Sequence, residues 1–138
     1  MDLRKITDDY TVSPQIDVEN VREIANAGYR SVMCNRPDGE EPGQTSYALI
    51  AEAAEAEGLK VVSVPITSGM ITPEALDEFR KALKDMPKPM LAYCRSGTRC
   101  TMLWAIAQHG TIEDSEIERR AAEAGYDVSG VLRQLGAQ

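Results

Sequence analysis

The chain predicts an α/β fold: a short, mainly parallel central sheet flanked by helices. Short apolar or β-branched runs alternate three times with amphipathic helical patterns, the order that produces parallel strands joined by helical crossovers. The phrases Asn26-Ala27-Gly28-Tyr29, Ala56-Glu57-Gly58-Leu59 and Glu123-Ala124-Gly125-Tyr126 each set a glycine where a helical pattern stops and an apolar residue directly after it, a helix-end signal. The 138 residues are 43% apolar, enough for one ordinary domain spanning residues 1–138 with a full core.

The elements follow in order. Asp17 is a cap for a helix that carries Val18, Val21, Ile24 and Ala25 on one face. Arg30 to Asn35 reads as a strand through Val32 and Met33. The Pro and Gly content of Arg36 to Gly43 then marks a loop. Ser46 caps a helix running to about Glu57, and Lys60 to Ile66 is a β-branched strand closed by Pro65. Thr72-Pro73-Glu74 combines a cap, a first-turn proline and an acid; Leu76, Phe79, Leu83 and Met86 space the helix behind it, and Pro87 ends it. Pro89 to Tyr93 is a short buried strand, followed by a loop and a helix to about Gln108, with Gly110 beyond. Two amphipathic helices, around Ile112 to Ala124 and Ser129 to Leu135, complete the chain. Ligands of such sheets bind beyond the carboxyl ends of the strands, so Cys34-Asn35-Arg36, Pro65-Ile66-Thr67 and Tyr93-Cys94-Arg95 are expected to share one rim.

Composition narrows the function. The net charge of −7 repels phosphate backbones and anionic lipid, which argues against nucleic acid and membrane as partners. No apolar run approaches the length of a membrane span, and the polar start has no signal-peptide core, so a cytoplasmic location is expected. Three cysteines lack the spacing of a disulfide framework, and His109 is the only histidine; neither a metal nor another cofactor is expected. Free thiols in a reducing compartment make cysteine reactivity the question. The oligomeric state is not legible.

The chemistry concentrates in Cys94-Arg95-Ser96-Gly97-Thr98-Arg99. An apolar strand delivers Cys94 to the sheet edge, and Ser96, Gly97 and Thr98 turn the chain into a helix. Such a turn points successive backbone N–H groups inward as an anion nest, and the helix start adds about half a positive charge. Arg99 closes the ring with a bidentate fork suited to oxyanions. The same donors stabilise a thiolate, lowering a cysteine pKa from about 8.5 to roughly 4–7. An ionised, half-exposed thiolate beside an anion cradle is a nucleophile for a small anionic substrate. Each residue alone reads as packing or surface; the constellation does not.

Leu91-Ala92-Tyr93-Cys94-Arg95-Ser96-Gly97-Thr98-Arg99-Cys100, together with Tyr10-Thr11-Val12-Ser13-Pro14-Gln15 and Val32-Met33-Cys34-Asn35-Arg36-Pro37-Asp38, resembles the bacterial phosphatase-like domain family that is also found fused to beta-lactamase-like hydrolases. The resemblance covers nearly the whole chain. It implies the three-layer fold of the protein-tyrosine and dual-specificity phosphatases. The chain departs from those phosphatases in two ways. Four residues, not five, separate Cys94 from Arg99, which looks like the loop of rhodanese sulfurtransferases. An aspartic acid is absent after Pro65-Ile66, where Thr67-Ser68-Gly69-Met70 stands instead. Both departures lead to sulfur transfer as the expected reaction: Cys94 takes a sulfane sulfur from thiosulfate or a small persulfide and passes it to a thiophilic acceptor, with sulfur-metabolism proteins as partners. The alternative is a phosphatase forming a phosphocysteine on Cys94 from a phosphate ester, with Asp38 as a substitute acid. A non-catalytic module that binds phosphate or sulfate is a third reading.

Cys94 and Arg99 are thus the expected catalytic pair, with Arg95, Ser96, Gly97, Thr98, Cys100, Thr101, Asn35, Arg36, Asp38 and Thr67 as substrate or anion contacts. Cys100 matches the serine or threonine that often follows the arginine in phosphatases, and Thr101 is a second candidate for a hydrogen bond to the thiolate. Cys34 reads as a buried, inert thiol, unless it lies near enough to Cys94 to form a disulfide with it. Arg36 either meets the ligand or pairs with Asp38 or a nearby glutamate. His109 and Trp104 read as structural.

Overall fold

The structure is a computed structural model describing residues 1–136. Five strands and six helices run in the order β1 (Arg4–Lys5), β2 (Tyr10–Ser13), α1 (Val18–Asn26), β3 (Ser31–Cys34), α2 (Tyr47–Ala56), β4 (Lys60–Ser63), α3 (Pro73–Asp85), β5 (Met90–Tyr93), α4 (Thr98–Gln108), α5 (Asp114–Glu123) and α6 (Ser129–Gly136). The sheet order is β1-β2-β5-β3-β4, parallel except for the β1 edge. The α/β class and the three alternating strands agree with the sequence pattern. Strands β1 and β2 do not appear in it. Strand β1 has two residues, and all four of β2 are buried, so neither shows the period-two alternation that marks a half-exposed strand.

The helix ends behave as their residues require. Thr72 Oγ1 accepts from the Ala75 amide at 3.1 Å, with Pro73 in the first turn, and Ser46 Oγ accepts from the Leu49 amide at 3.4 Å. Gly28, Gly58 and Gly125 all have positive φ, and the amides of Tyr29, Leu59 and Tyr126 reach back to Ile24, Ala54 and Ala121, the six-to-one bond of a glycine-terminated helix.

Buried side chains divide into two layers across the sheet. Val21, Ile24, Ile50 and Ala54 from α1 and α2 pack against Val32, Cys34, Leu91 and Tyr93. Phe79, Leu103, Trp104, Ile117 and Leu132 from α3 to α6 pack against Val12, Met33, Met90, Ala92 and Cys94. Successive residues of β5 alternate between the layers, as the pleat demands. Helix α4 lies inside the second layer with Cys100, Thr101, Leu103, Trp104 and Ala105 buried. Each large apolar side chain buried this way contributes about 1.5–3 kcal/mol, so the helix carrying the anion loop is among the best anchored parts of the fold. Among the described residues no helix is long and apolar enough to cross a membrane.

Candidate active site

Strand β5 is central, with β2 on one side and β3 on the other. The ladder continues past its end: the Cys94 amide donates to the Ser13 carbonyl at 3.3 Å, and the Asn35 amide to the Tyr93 carbonyl at 2.8 Å. The ends of β5 and β3 are therefore held in register where the chain leaves the sheet. Pairing also runs on beyond β4, with the Val64 and Ile66 amides on the Cys34 and Asn35 carbonyls. The expected rim of three strand ends is present.

The chain then turns sharply into α4 through Gly97, whose φ of +89° a side-chain-bearing residue rarely adopts. A Cβ there would collide with Tyr126 Oη, which itself donates to the Ser96 carbonyl at 2.8 Å. This turn swings the Gly97 amide back onto Cys94 Sγ at 3.1 Å. Tyr10 Oη braces the far side by donating to the Cys100 carbonyl at 2.8 Å.

Cys94 is completely buried, not half-exposed as the loop composition implies, because the backbone wraps around the sulfur. Burial alone would raise its pKa, yet the pKa is lowered to about 5. The largest cause is hydrogen bonding with the Cys100 thiol, and the amides of Cys100, Ser96 and Gly97 add to it. Burial and the neighbouring Cys94 push Cys100 the other way, so it keeps its proton and serves as a donor. The sulfur is a thiolate at neutral pH.

Arg99 stands at the rim with its side chain 12% exposed. Nη1 and Nη2 form a fork on Glu40, to Oε2 and Oε1 at 2.8 Å each, and Nη1 also donates to the Ile66 carbonyl at 2.7 Å. Glu40 Oε1 is shared with Arg36 Nε at 2.8 Å. Hydrogen bonds from Arg99 first, and from Arg36, hold the Glu40 carboxyl down at about 2.

The remaining expected contacts are scattered by the fold. Arg36 is 1% exposed and committed to Glu40, to Gln15 Oε1 and to Glu41 Oε1, the last two at 3.0 Å. Of the pairings open to it in the sequence, glutamate prevails. Asn35 is buried, with Nδ2 on the Val64 carbonyl at 2.9 Å and Oδ1 without a hydrogen-bond partner. Asp38 Oδ1 accepts from the Tyr47 amide at 2.9 Å and so supports the start of α2. Thr67 is exposed, and its carbonyl closes a turn with the Met70 amide. Thr101 donates its hydroxyl to the Gly97 carbonyl at 2.8 Å, so that proton is spent away from the thiolate. Ser96 and Thr98 hydroxyls meet at 2.9 Å on the surface, and Arg95 is exposed, 3.7 Å from Glu41. His109 pairs with Asp114 at 2.8 Å, far along α4 from the loop. Sequence reasoning passed over Glu40, Glu41, Gln15 and Tyr126. The two glutamates carry a partial signal, as acids in a Pro/Gly loop that follows a strand pattern; their partner in the other loop is set by the fold.

Residues 2–111 match the phosphatase-like domain family of beta-lactamase hydrolase-like proteins. Beta-lactamase hydrolase-like proteins of Xylella fastidiosa and Agrobacterium fabrum are 31% and 29% identical over 100% and 97% of the chain, which spans about a third of their length (32% of each). A crystal structure of a phosphatase candidate from Neisseria meningitidis superposes with a TM-score of 0.87 at 32% identity, covering 99% of this chain and 98% of that one. The core catalytic domain of the PP-IP phosphatase Siw14 from S. cerevisiae shares the fold at a TM-score of 0.69 and 16% identity, over 98% of this chain and 83% of that one.

These matches overturn the sulfur-transfer expectation, and thiosulfate, persulfides and sulfur-metabolism partners lose their support with it. Neither the loop length nor the absent aspartate identifies the electrophile. Counting residues between Cys94 and Arg99 measures a length of chain, whereas the cradle depends on where the turn at Gly97 points the amides. The absence of a carboxyl after Pro65 bears on how a leaving oxygen is protonated, and does not decide which electrophile the thiolate attacks.

Proposed function

Since the chain belongs to the phosphatase-like domain family of beta-lactamase hydrolase-like proteins, we propose that it hydrolyses phosphate monoesters through a phosphocysteine on Cys94. The observation that carries this reading is the Cys94 thiolate, lowered to about 5 and fixed by the Gly97 amide at 3.1 Å beside the Arg99 fork. The substrate's non-bridging oxygens lie on Arg99 and on the amides of the loop, where preorganised donors meet the charge of the transition state. Cys94 Sγ attacks phosphorus in line; the S–P bond forms as the ester P–O bond breaks. Water then attacks the phosphocysteine, releasing inorganic phosphate and the thiolate.

The leaving oxygen must take a proton or depart as a stable anion. In the arrangement seen, Glu40 is held at about 2 and the Asp38 carboxylate is bound to the Tyr47 amide. Aryl phosphates, whose leaving oxygen is a weak base, are therefore the expected better substrates. The test is release of p-nitrophenol from p-nitrophenyl phosphate, with acid-quenched protein analysed by peptide mass spectrometry for a phosphoryl group on Cys94. Hydrolysis that survives in Cys94→Ser would refute the reading.

A further inference from the structure

We propose that Tyr126 is a positioning residue for the nucleophile: its hydroxyl grips the Ser96 carbonyl and thereby aims the other end of the same peptide, the Gly97 amide, at Cys94 Sγ. The inference rests on the reading of Cys94 as the nucleophile, and goes beyond it by assigning part of the anion loop's alignment to a side chain outside that loop.

One peptide unit is held at both ends. The bond between Ser96 and Gly97 is trans, so its C=O and N–H point in opposite directions. The carbonyl accepts from Tyr126 Oη at 2.8 Å, and the N–H donates to Cys94 Sγ at 3.1 Å. A glycine on its far side makes rotation of this peptide sterically cheap, so the outer hydrogen bond is what keeps the N–H turned inward. A carbonyl that accepts a hydrogen bond also strengthens its own peptide's N–H as a donor. The preceding peptide is arranged alike: the Arg95 carbonyl accepts from the Gln15 amide at 3.3 Å, and the Ser96 amide is a further donor to the sulfur. Backbone makes the first of these outer grips. A side chain makes the second.

Tyr126 is set in place by contacts independent of the loop. The chain leaves α5 through Gly125, and the Tyr126 amide returns to the Ala121 carbonyl at 2.9 Å. The ring packs against the second core layer and carries the Arg4 guanidinium on its face, 5.2 Å from the centroid. Arg4 is held in turn by the Asp2 carboxylate at 3.1 Å and by the Ala124 carbonyl at 3.2 Å. A side chain at Gly125 would crowd that guanidinium. Burial raises the Tyr126 pKa against the opposing Arg4 charge, with Cys94, Asp2 and Cys100 adding to the rise. The hydroxyl therefore keeps the proton it donates while the thiolate titrates.

Alkylation of Cys94 by iodoacetamide across pH, on the full chain, tests this in wild type, Tyr126→Phe, Arg4→Gln and Tyr10→Phe, with urea denaturation of each. Tyr126→Phe removes only the hydroxyl and should raise the pH of half-maximal alkylation by about half a unit, the size expected when one hydrogen bond to the thiolate loosens. Arg4→Gln, which frees the ring, should move it the same way by less, and its profile decides if Tyr126→Phe folds poorly. Tyr10→Phe is the matched control. It deletes a hydroxyl bond of the same length, to the Cys100 carbonyl, but the N–H of that peptide belongs to Thr101 and donates to the Gly97 carbonyl. Its alkylation profile should stay where wild type has it. A lower urea midpoint in Tyr126→Phe with an unmoved profile would make Tyr126 a structural contact and overturn the proposal. An equal rise in Tyr126→Phe and Tyr10→Phe would report general loosening of the loop, and overturns it too. Alkylation needs no turnover, so these outcomes are separate from failure of the functional reading, which hydrolysis surviving in Cys94→Ser would refute on its own.

Discussion

Cys34 and Cys94 stand at the ends of neighbouring parallel strands, both buried, and their sulfurs are opposite in character. The β3–β5 register pairs Cys34 with Tyr93, so Cys94 lies one residue further on, and the pleat turns the two sulfurs to opposite faces of the sheet. After Cys34 the chain continues through Asn35, Arg36 and Pro37, and the thiol donates to the Arg36 carbonyl at 3.2 Å. Burial pushes its pKa up. After Cys94 the chain turns at once into α4, and the groups facing the sulfur are amides and the Cys100 thiol. Burial opposes ionisation at both sites; donors outweigh it at only one. The separation by the sheet also disposes of Cys34 as a disulfide partner for Cys94.

The largest test of this contrast is exchange of each sulfur for oxygen. Cys94→Ser should lower kcat/KM for p-nitrophenyl phosphate by about 10⁴-fold or more, whereas Cys34→Ser should stay within about threefold. Comparable losses in both would erase the distinction between the two strand ends.

Arg99→Lys keeps the charge and removes the fork, and should cost about 10²-fold in kcat/KM. A smaller loss would mean that charge alone, without bidentate geometry, serves the site.

Alkylation by iodoacetamide reads the ionisation directly. Cys94 should react with a rate constant that is flat near neutrality and falls about tenfold per pH unit below about 5, with Cys34 and Cys100, whose thiols burial keeps protonated, reacting far more slowly. The same shift has a stability sign. A folded pKa below that of an unfolded thiol, about 8.5, means that the unfolded chain binds the extra proton between the two values. The Cys94 contribution is complete above the unfolded value, declines as pH falls, and is gone below about 5. A denaturation midpoint independent of pH from 5 to 9 in wild type, and identical in slope to that of Cys94→Ser, would contradict this.

Gly97→Ala tests the turn that faces the amides inward. The left-handed backbone costs an alanine about 1–2 kcal/mol, and its methyl group meets Tyr126 Oη. The variant should lose that much in urea denaturation and raise the alkylation pKa of Cys94 as the Gly97 amide withdraws. Tyr126→Phe is milder. Losing one hydrogen bond to the Ser96 carbonyl should cost about 0.5–1 kcal/mol, with a modest rise in KM.

What was legible in advance was local. Alternating strand and helix patterns, caps at Ser46 and Thr72, helix ends at Gly28, Gly58 and Gly125, and the Cys94–Arg99 loop all lie within a few consecutive residues, where periodicity and backbone preference act directly. The contacts that distinguish the site join distant parts of the chain: Glu40 and Arg99 are 59 residues apart, Tyr126 and Ser96 30. Strand β2 exists because β5 offers it a parallel ladder, and its fully buried residues carry no alternation to announce it. Pairings of this kind depend on register and loop path, which no short pattern encodes, whereas the sequence alone determined that a glycine turn follows Cys94 and folds the loop back onto its sulfur. Only the tertiary structure decided which side chains crowd it, and that a glutamate already sits in the arginine fork.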